Sequence, residues 1–371
     1  MKDQQTKNIG LVTFHNVYNY GGVLQAYGLC RALETHNIEC IDYQQQDLDL
    51  KYNHKLYDGR RSLKQNAKHF VKHFILKKGV KKENKIKEFI TEYIPLSKGS
   101  YTNLTEVDVN SKQYDVLISG SDQIWNPQFT GGKLDPVYLL AFGNDRVKRL
   151  SYASSAGAHK FANGDRKTLT ASLGAYKNIS VREQFLKDQI ATFMDKDVKV
   201  VVDPTLLLTG EEWRTIAKPL SREIPKDYVL IYTFDNNSVC INLAKDIAKK
   251  LGCKVVFISS KKQKADLVDV CLEDVGPNEF IWLFDNARFV VTNSFHGTTF
   301  SLIFKKNFYS IYKNSNPYRV LNLLDVLGLK DRLIKNADDL ADVTAPIDYT
   351  IPSKLLSERR EDSIKFLFDS L

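Results

Sequence analysis

The chain has 371 residues, 43% of them apolar and 26% charged, an ordinary globular composition that excludes a disordered, collagen-like or disulfide-scaffold protein. At roughly 150 residues per domain, this length points to two or more domains. The formal net charge of +9 is concentrated: residues 51–98 hold 14 Lys and Arg against four Asp and Glu, which leaves the rest of the chain near neutral. No run approaches about 18 consecutive apolar residues, and Met1–Gln5 leads straight into a strand-like segment without a signal-peptide core. A cytoplasmic location is therefore the expectation. The five cysteines, at 30, 40, 240, 253 and 271, are scattered and lack CxxC spacing, so reduced thiols are expected rather than a zinc site, a cluster or a disulfide framework.

In chain order, the apolar run Ile9–Phe14 precedes a glycine-containing turn, a helical pattern over Val23–Glu34 and a second strand at Ile38–Tyr43. That order opens an α/β domain with a parallel sheet. The basic segment 51–98 reads as a helical insertion. Leu63, Ala67, Phe70, Val71, Phe74 and Ile75 share one face, Gly79 ends that helix, and Ile86, Phe89, Ile90 and Tyr93 repeat the pattern. Two readings stay open for it: a solvated surface helix pair, or a patch that docks on anionic lipid or holds a large anionic acceptor.

Further strands are expected at Val116–Ser119, Leu150–Ser154, Ile179–Val181 and Val198–Val202. The polar stretch 209–227, with Pro219 and Pro225, reads as a linker between a first domain, 1–208, and a second, 228–350. The second domain runs through strands at Tyr228–Phe234, Lys254–Ile258, Phe289–Thr292 and Asn307–Tyr312, with helices at about 239–251, 278–286 and 298–304; a helix at 351–371 closes the chain. The expected fold is α/β, with two doubly wound Rossmann-like domains facing a cleft, where ligands bind beyond the carboxyl ends of the strands.

Four stretches crowd polar residues and glycines where a strand ends. Asn19, Tyr20, Gly21, Gly22 and Gln25 either bring backbone N–H groups to a ligand at a helix start or form a tight turn. Ser121, Asp122, Gln123, Trp125 and Asn126 suit a sugar, whose hydroxyls need hydrogen bonds and whose apolar face stacks on a ring; the plainer reading is a polar turn with Trp125 in the core. Arg182 is placed to grip a phosphate or carboxylate, or to pair with Glu183 or another acid. In Thr292–Thr298 the imidazole of His296 meets both a helix start and a cleft, a setting for a general acid or base.

The strings Tyr18–Tyr27, Ser119–Pro127, Ser180–Glu183, Asp203–Thr205 and Asn293–Gly297, in this order and at these spacings, resemble the polysaccharide pyruvyl transferase family over about residues 8–330. The resemblance implies a fold similar to GT-B glycosyltransferases and transfer of an enolpyruvyl unit from phosphoenolpyruvate to a sugar diol in cell-surface polysaccharide synthesis. It implies no cofactor and no metal. His296 matches the family histidine and would be the acid, with Asp122 the base or hydroxyl-orienting group. On the second, donor-side domain the implied donor residues are Arg319, Asn293, Ser294 and Gly297, joined by Arg182. On the first, acceptor-side domain they are Asn19, Tyr20, Gly21, Gly22, Gln25, Ser121, Gln123, Trp125 and Asn126.

Many family members place an arginine where this chain has Ser294, so one cation of the donor site is missing. Lys305 and Lys306 stand as substitutes. The implied partners are phosphoenolpyruvate and a sugar or lipid-linked oligosaccharide; peripheral contact with the inner face of an anionic membrane belongs to the docking reading of the basic segment 51–98. No nucleic-acid motif is present. Two alternatives stay open on the same fold: a nucleotide-sugar glycosyltransferase, and a non-catalytic glycan-binding protein.

Overall fold

Short apolar strands organise the chain in two runs, and every strand pair within them is parallel. Such strands are buried on both faces, so they read as continuous apolar segments rather than alternating ones. The computed structural model describes residues 5–48, 62, 64, 80–233, 238–259, 267–312, 318–335, 340 and 342–371. In the first lobe β1 (Asn8–Val12), β2 (Asn37–Tyr43), β3 (Leu96–Tyr101), β4 (Val116–Ser119) and β5 (Lys148–Ser151) lie in the order β3-β2-β1-β4-β5. Single bridges from Leu150 to Asn178 and from Ser154 to Val181 carry this sheet on to β6 (Ile179–Val181), which pairs with β7 (Val198–Val200).

The second lobe holds β8 (Tyr228–Tyr232), β9 (Lys254–Ile258), β10 (Val270–Leu272), β11 (Phe289–Thr292), β12 (Asn307–Ile311) and β13 (Leu333–Ile334), ordered β10-β9-β8-β11-β12-β13. Both lobes thus have the doubly wound order. The chain leaves β1 and β8 in opposite directions across each sheet, which opens a crevice at the strands' carboxyl ends.

The helices that build the site are α1 (Tyr20–Ala32), α2 (Val80–Tyr93), α3 (Asn163–Gly174), α4 (Pro277–Asn286), α5 (Phe295–Ile303), α6 (Tyr318–Val326) and α7 (Thr350–Ser370). In α1 every residue from Tyr20 to Cys30 is buried, and α5 is buried throughout. A helix apolar all round belongs in an interior, and these two meet the opposite lobe as well as their own sheet. Tyr20 stacks on Phe280 of α4 with ring centroids 4.5 Å apart and donates its hydroxyl to the Val275 carbonyl at 2.9 Å.

Helix α2 is the crossover that a parallel β2–β3 pair requires. Its Ile86, Phe89 and Ile90 are buried, Phe89 lies 5.8 Å from Tyr27 of α1, and Lys85 pairs with Glu279 of α4 at 2.7 Å. The carboxyl half of the basic segment is therefore part of the lobe itself. The amphipathic helix expected over Leu63–Ile75 and ended by Gly79 lies outside the described residues.

The polar stretch after residue 208 is packed rather than slack: Trp213 is fully buried and donates Nε1–H to the Thr205 carbonyl at 3.0 Å. Helix α7 returns to the first lobe. There the Val202 N–H donates to Ser363 Oγ at 3.1 Å, Arg360 Nε donates to the Leu206 carbonyl at 2.7 Å, and Lys7 and Lys148 both donate to the Leu371 carbonyl. One apolar cluster runs through both lobes, from Leu24 and Leu29 through Trp213 and Phe280 to Phe300 and Leu367.

Candidate active site

The crevice between the lobes holds a cavity of about 450 Å³, within the usual range for small-molecule sites. Its first-lobe wall comes from the loops after β1, β4 and β5, and its second-lobe wall from the start of α5, the end of β12 and α6. Asn19, Asp122, Gln123, Asn126, Asn293, Ser294, His296 and Arg319 all line it. Sequence reasoning did not single out Phe14, Gln128, Phe129, His159, Phe295 or Tyr312, which line it too.

His296 sits in the first turn of α5, whose backbone N–H groups have no partner in the preceding turn. Helix α1 packs directly against the imidazole: a Cβ on Gly21 would lie 2.0 Å from His296 Nδ1. Only glycine fits there. Gly297 has the same role on the other side, where a Cβ would lie 2.2 Å from Thr292 Oγ1. The Thr292 hydroxyl donates to the Tyr232 carbonyl at 2.6 Å and accepts the Ser294 N–H at 3.1 Å, which fixes the turn from β11 into α5.

Behind the imidazole, Asp203 Oδ2 lies 3.8 Å from His296 Nε2 and 2.7 Å from Arg182 Nη1. Asp203 is held in turn by the Thr205 N–H at 3.0 Å and the Thr205 hydroxyl at 2.7 Å. Burial alone would raise the Asp203 carboxyl, but His296, Arg182 and the Thr205 hydrogen bond outweigh it and the group sits below the usual carboxylate range. Three acids surround the Arg182 guanidinium, with Asp122 Oδ1 3.6 Å from Nη2 and Glu183 Oε2 3.7 Å from Nε. Arg182 is thus a buried, paired cation behind the cavity wall, as the salt-bridge reading had it, rather than one open to the cavity.

Arg319 is different. Its Nε is buried without a hydrogen-bond partner, and no carboxylate pairs with it among the described residues. Its guanidinium carbon lies 5.4 Å from the Phe295 ring centre, and that of Arg182 lies 4.9 Å from the same ring. Burial, then the neighbouring Arg182, lowers its pKa to about 10 against the pull of the more distant Asp122, Glu183 and Asp203 carboxylates, so it stays charged at neutral pH. His296 is lowered to about 4, chiefly by burial and further by Arg182 and Arg319, while Asp203 and Asp122 pull it back up. At neutral pH the imidazole is therefore uncharged.

Asp122 adopts φ +67°, the left-handed region that costs a non-glycine residue and recurs at functional sites. Its carbonyl accepts the Ser155 N–H at 3.0 Å and its Oδ1 accepts the Gln123 N–H at 2.9 Å. Asp122 thus lines the cavity with Oδ1 between the Gln123 N–H and Arg182.

Several expected contact residues face elsewhere. Trp125 is fully buried and bonds through Nε1 to Ser119 Oγ at 3.1 Å, so its indole is core rather than a stacking platform. Gln25 is also fully buried and donates to Thr13 Oγ1 and the Gly22 carbonyl, both at 2.9 Å. Tyr20, Gly21, Gly22, Ser121 and Gly297 support the wall without lining it. Neither Lys305 nor Lys306 reaches the cavity, and Lys306 donates to the Asp285 carbonyl. Among the described residues no three His, Cys, Asp or Glu side chains are grouped to hold a metal ion, and no helix is long and apolar enough to cross a membrane.

Two doubly wound lobes with a polar cavity between them define the α/β architecture of GT-B-type sugar-processing enzymes. The chain is similar in fold to UDP-GlcNAc 2-epimerase from Neisseria meningitidis bound to UDP-GlcNAc (TM-score 0.52, 8% identity, 98% of this chain and 99% of that chain covered). It is likewise similar to S. aureus MnaA bound to UDP (TM-score 0.51, 10% identity, 99% and 98% covered) and to UDP-N-acetylglucosamine 2-epimerase from Rickettsia bellii (TM-score 0.50, 8% identity, 99% and 97% covered). Comparison with curated proteins gives no match. The polysaccharide pyruvyl transferase family model matches residues 19–315, most of the chain, and the protein belongs to that family of transferases.

Proposed function

We propose that the cavity transfers a pyruvyl unit from phosphoenolpyruvate to two hydroxyls of a sugar, forming a cyclic ketal for cell-surface polysaccharide synthesis. The observation that carries this reading is Arg319, a half-buried cation that lines the cavity with no carboxylate paired to it among the described residues and its Nε without a hydrogen-bond partner, on the wall that also presents a buried, neutral histidine. A charge partly withdrawn from water is costly unless paired, so an anionic ligand is the natural partner. Phosphoenolpyruvate has two anionic ends. Arg319 suits one, and the unused N–H groups at the start of α5 suit the other. With Ser294 where many members have an arginine, these N–H groups take the part that side chain would have.

An anion bound beside His296 joins Asp203 and Asp122 in favouring the charged imidazole over the neutral form that burial imposes, so donor binding draws a proton onto it. His296 then delivers that proton to the methylene carbon as a sugar hydroxyl oxygen bonds to the adjacent carbon. The carbon–oxygen bond to phosphate next breaks, its electron pair leaving with the phosphate, and the second hydroxyl closes the ring. On the first-lobe wall, the amides of Asn19, Gln123, Asn126 and Gln128 and the rings of Phe14 and Phe129 suit a sugar.

The test is to supply phosphoenolpyruvate with a panel of acceptor glycans, assaying inorganic phosphate, and in parallel nucleotide sugars, assaying nucleoside diphosphate. Acceptor-dependent phosphate release supports the reading. Nucleoside diphosphate release alone replaces it with glycosyl transfer, and oligosaccharide binding without turnover replaces it with a non-catalytic role.

A further inference from the structure

The proposed reaction leaves one duty unassigned: two hydroxyl protons must leave the acceptor, and a single histidine already engaged with the donor handles only one at a time. Asp122 is committed to Arg182 and to the Gln123 N–H. The first-lobe wall holds another candidate, His159, which lies in the loop after β5 and lines the cavity beside Gln128 and Phe129.

His159 is built in rather than loose. Its Nε2 lies 3.4 Å from Asp165 Oδ2, and the same carboxylate oxygen accepts the Ala162 N–H at 3.2 Å at the start of α3. The His159 carbonyl accepts Gln189 Nε2 at 2.9 Å, and Gln189 Oε1 accepts the Phe161 N–H at 3.1 Å. The Phe161 ring meets the imidazole edge to face, 5.4 Å away. Nε2 faces the Asp165 carboxylate, a placement that favours the tautomer with its proton on Nε2, and Nδ1 has no protein partner among the described residues. A carboxylate-oriented imidazole with its other nitrogen free is the arrangement of a general base.

Resting on the pyruvyl-transfer reading, the geometry points to His159, oriented by Asp165, as the base that takes the proton of the attacking acceptor hydroxyl. As the hydroxyl oxygen bonds to the central donor carbon, its proton passes to His159 Nδ1 while His296 protonates the methylene. When the phosphate departs with the electron pair of its bond, His159 returns the proton to it. The second hydroxyl then attacks the same carbon and loses its proton to the neutral His296. Both imidazoles end as they began, and the sum is donor plus diol giving ketal plus phosphate.

The experiment compares wild type, His159→Ala and Asp165→Asn in donor binding by calorimetry and in acceptor-dependent phosphate release, with and without added imidazole. The expected result is donor affinity within about twofold of wild type, turnover of His159→Ala lower by about 10²- to 10⁴-fold, and recovery that rises with imidazole concentration. Asp165→Asn should show a smaller loss that imidazole does not repair, since the side chain remains. His159→Ala turning over within about threefold of wild type overturns the assignment while the pyruvyl-transfer reading stands. So does a loss that imidazole leaves unchanged. A wild-type protein that binds no phosphoenolpyruvate overturns both.

Discussion

His296 is the residue whose chemistry depends most on its surroundings. Unfolded, an imidazole takes its proton near pH 6.5; folded, this one does so only near 4. Between these values the unfolded chain binds more protons. Stability therefore rises with pH through that window and falls as pH drops through it, by up to about 3 kcal/mol from this group. Chemical denaturation of His296→Gln across pH 4–6.5 should give a shallower fall than wild type, and parallel curves would contradict the burial argument. The same displacement predicts proton uptake on donor binding. After allowance for the donor's own phosphate ionisation, calorimetry in buffers of different ionisation enthalpy should show uptake near neutral pH, with affinity increasing as pH falls towards 4.

Arg319 and His296 are separable by kinetics. Arg319→Ala should weaken phosphoenolpyruvate binding by roughly 1.5–3 kcal/mol, the scale of a hydrogen bond to a charged group. His296→Gln should keep donor binding and lose about two to four orders of magnitude in turnover. Donor affinity that survives Arg319→Ala would place the anion elsewhere in the cavity.

At the scale of elements, α1 and α5 set the site because they touch through it. Gly21→Ala adds a methyl at 2.0 Å from His296 Nδ1, so either the helix or the imidazole must move. A displacement of about 1 Å suffices for a loss of about 10²-fold in turnover, and the expected variant is folded, with near-native circular dichroism and low kcat. Wild-type kcat in that variant would mean the ring is not held by α1. The strand-end position of this site was legible in the sequence because parallel strands are apolar and their glycine-rich ends are not: β4, β6, β9 and β11 fall where the apolar runs put them. Strand β3, Leu-Ser-Lys-Gly-Ser-Tyr, was not legible, since as a sheet edge it carries no apolar run. Asp203 is the instructive omission. Asp-Pro-Thr reads locally as a capped turn, and its approach to His296, 93 positions further along, exists only in the folded chain. Trp125 shows the converse: an aromatic ring in a polar string is as compatible with the core as with a sugar, and burial decides.

At the scale of the whole molecule, the cavity depends on two lobes that share one apolar cluster and are tied by Tyr20 on Val275, Lys85 on Glu279 and the return of α7. A large apolar contact couples domains that would otherwise move and melt independently. Calorimetry should give one unfolding transition, with calorimetric and van't Hoff enthalpies in agreement. Removing the tie with Glu279→Gln should lower its midpoint without splitting it, and two resolved transitions would mean that the lobes are thermodynamically separate.

The most direct test of the account is to run the reaction in heavy water with phosphoenolpyruvate and an acceptor glycan, then examine the product by mass spectrometry and NMR. Pyruvyl transfer with proton delivery from His296 predicts one carboxyethylidene unit bridging two sugar oxygens, one phosphate released per ketal, and one solvent deuterium in the new methyl group. A product carrying a second sugar instead, or phosphate released without a ketal, would contradict it.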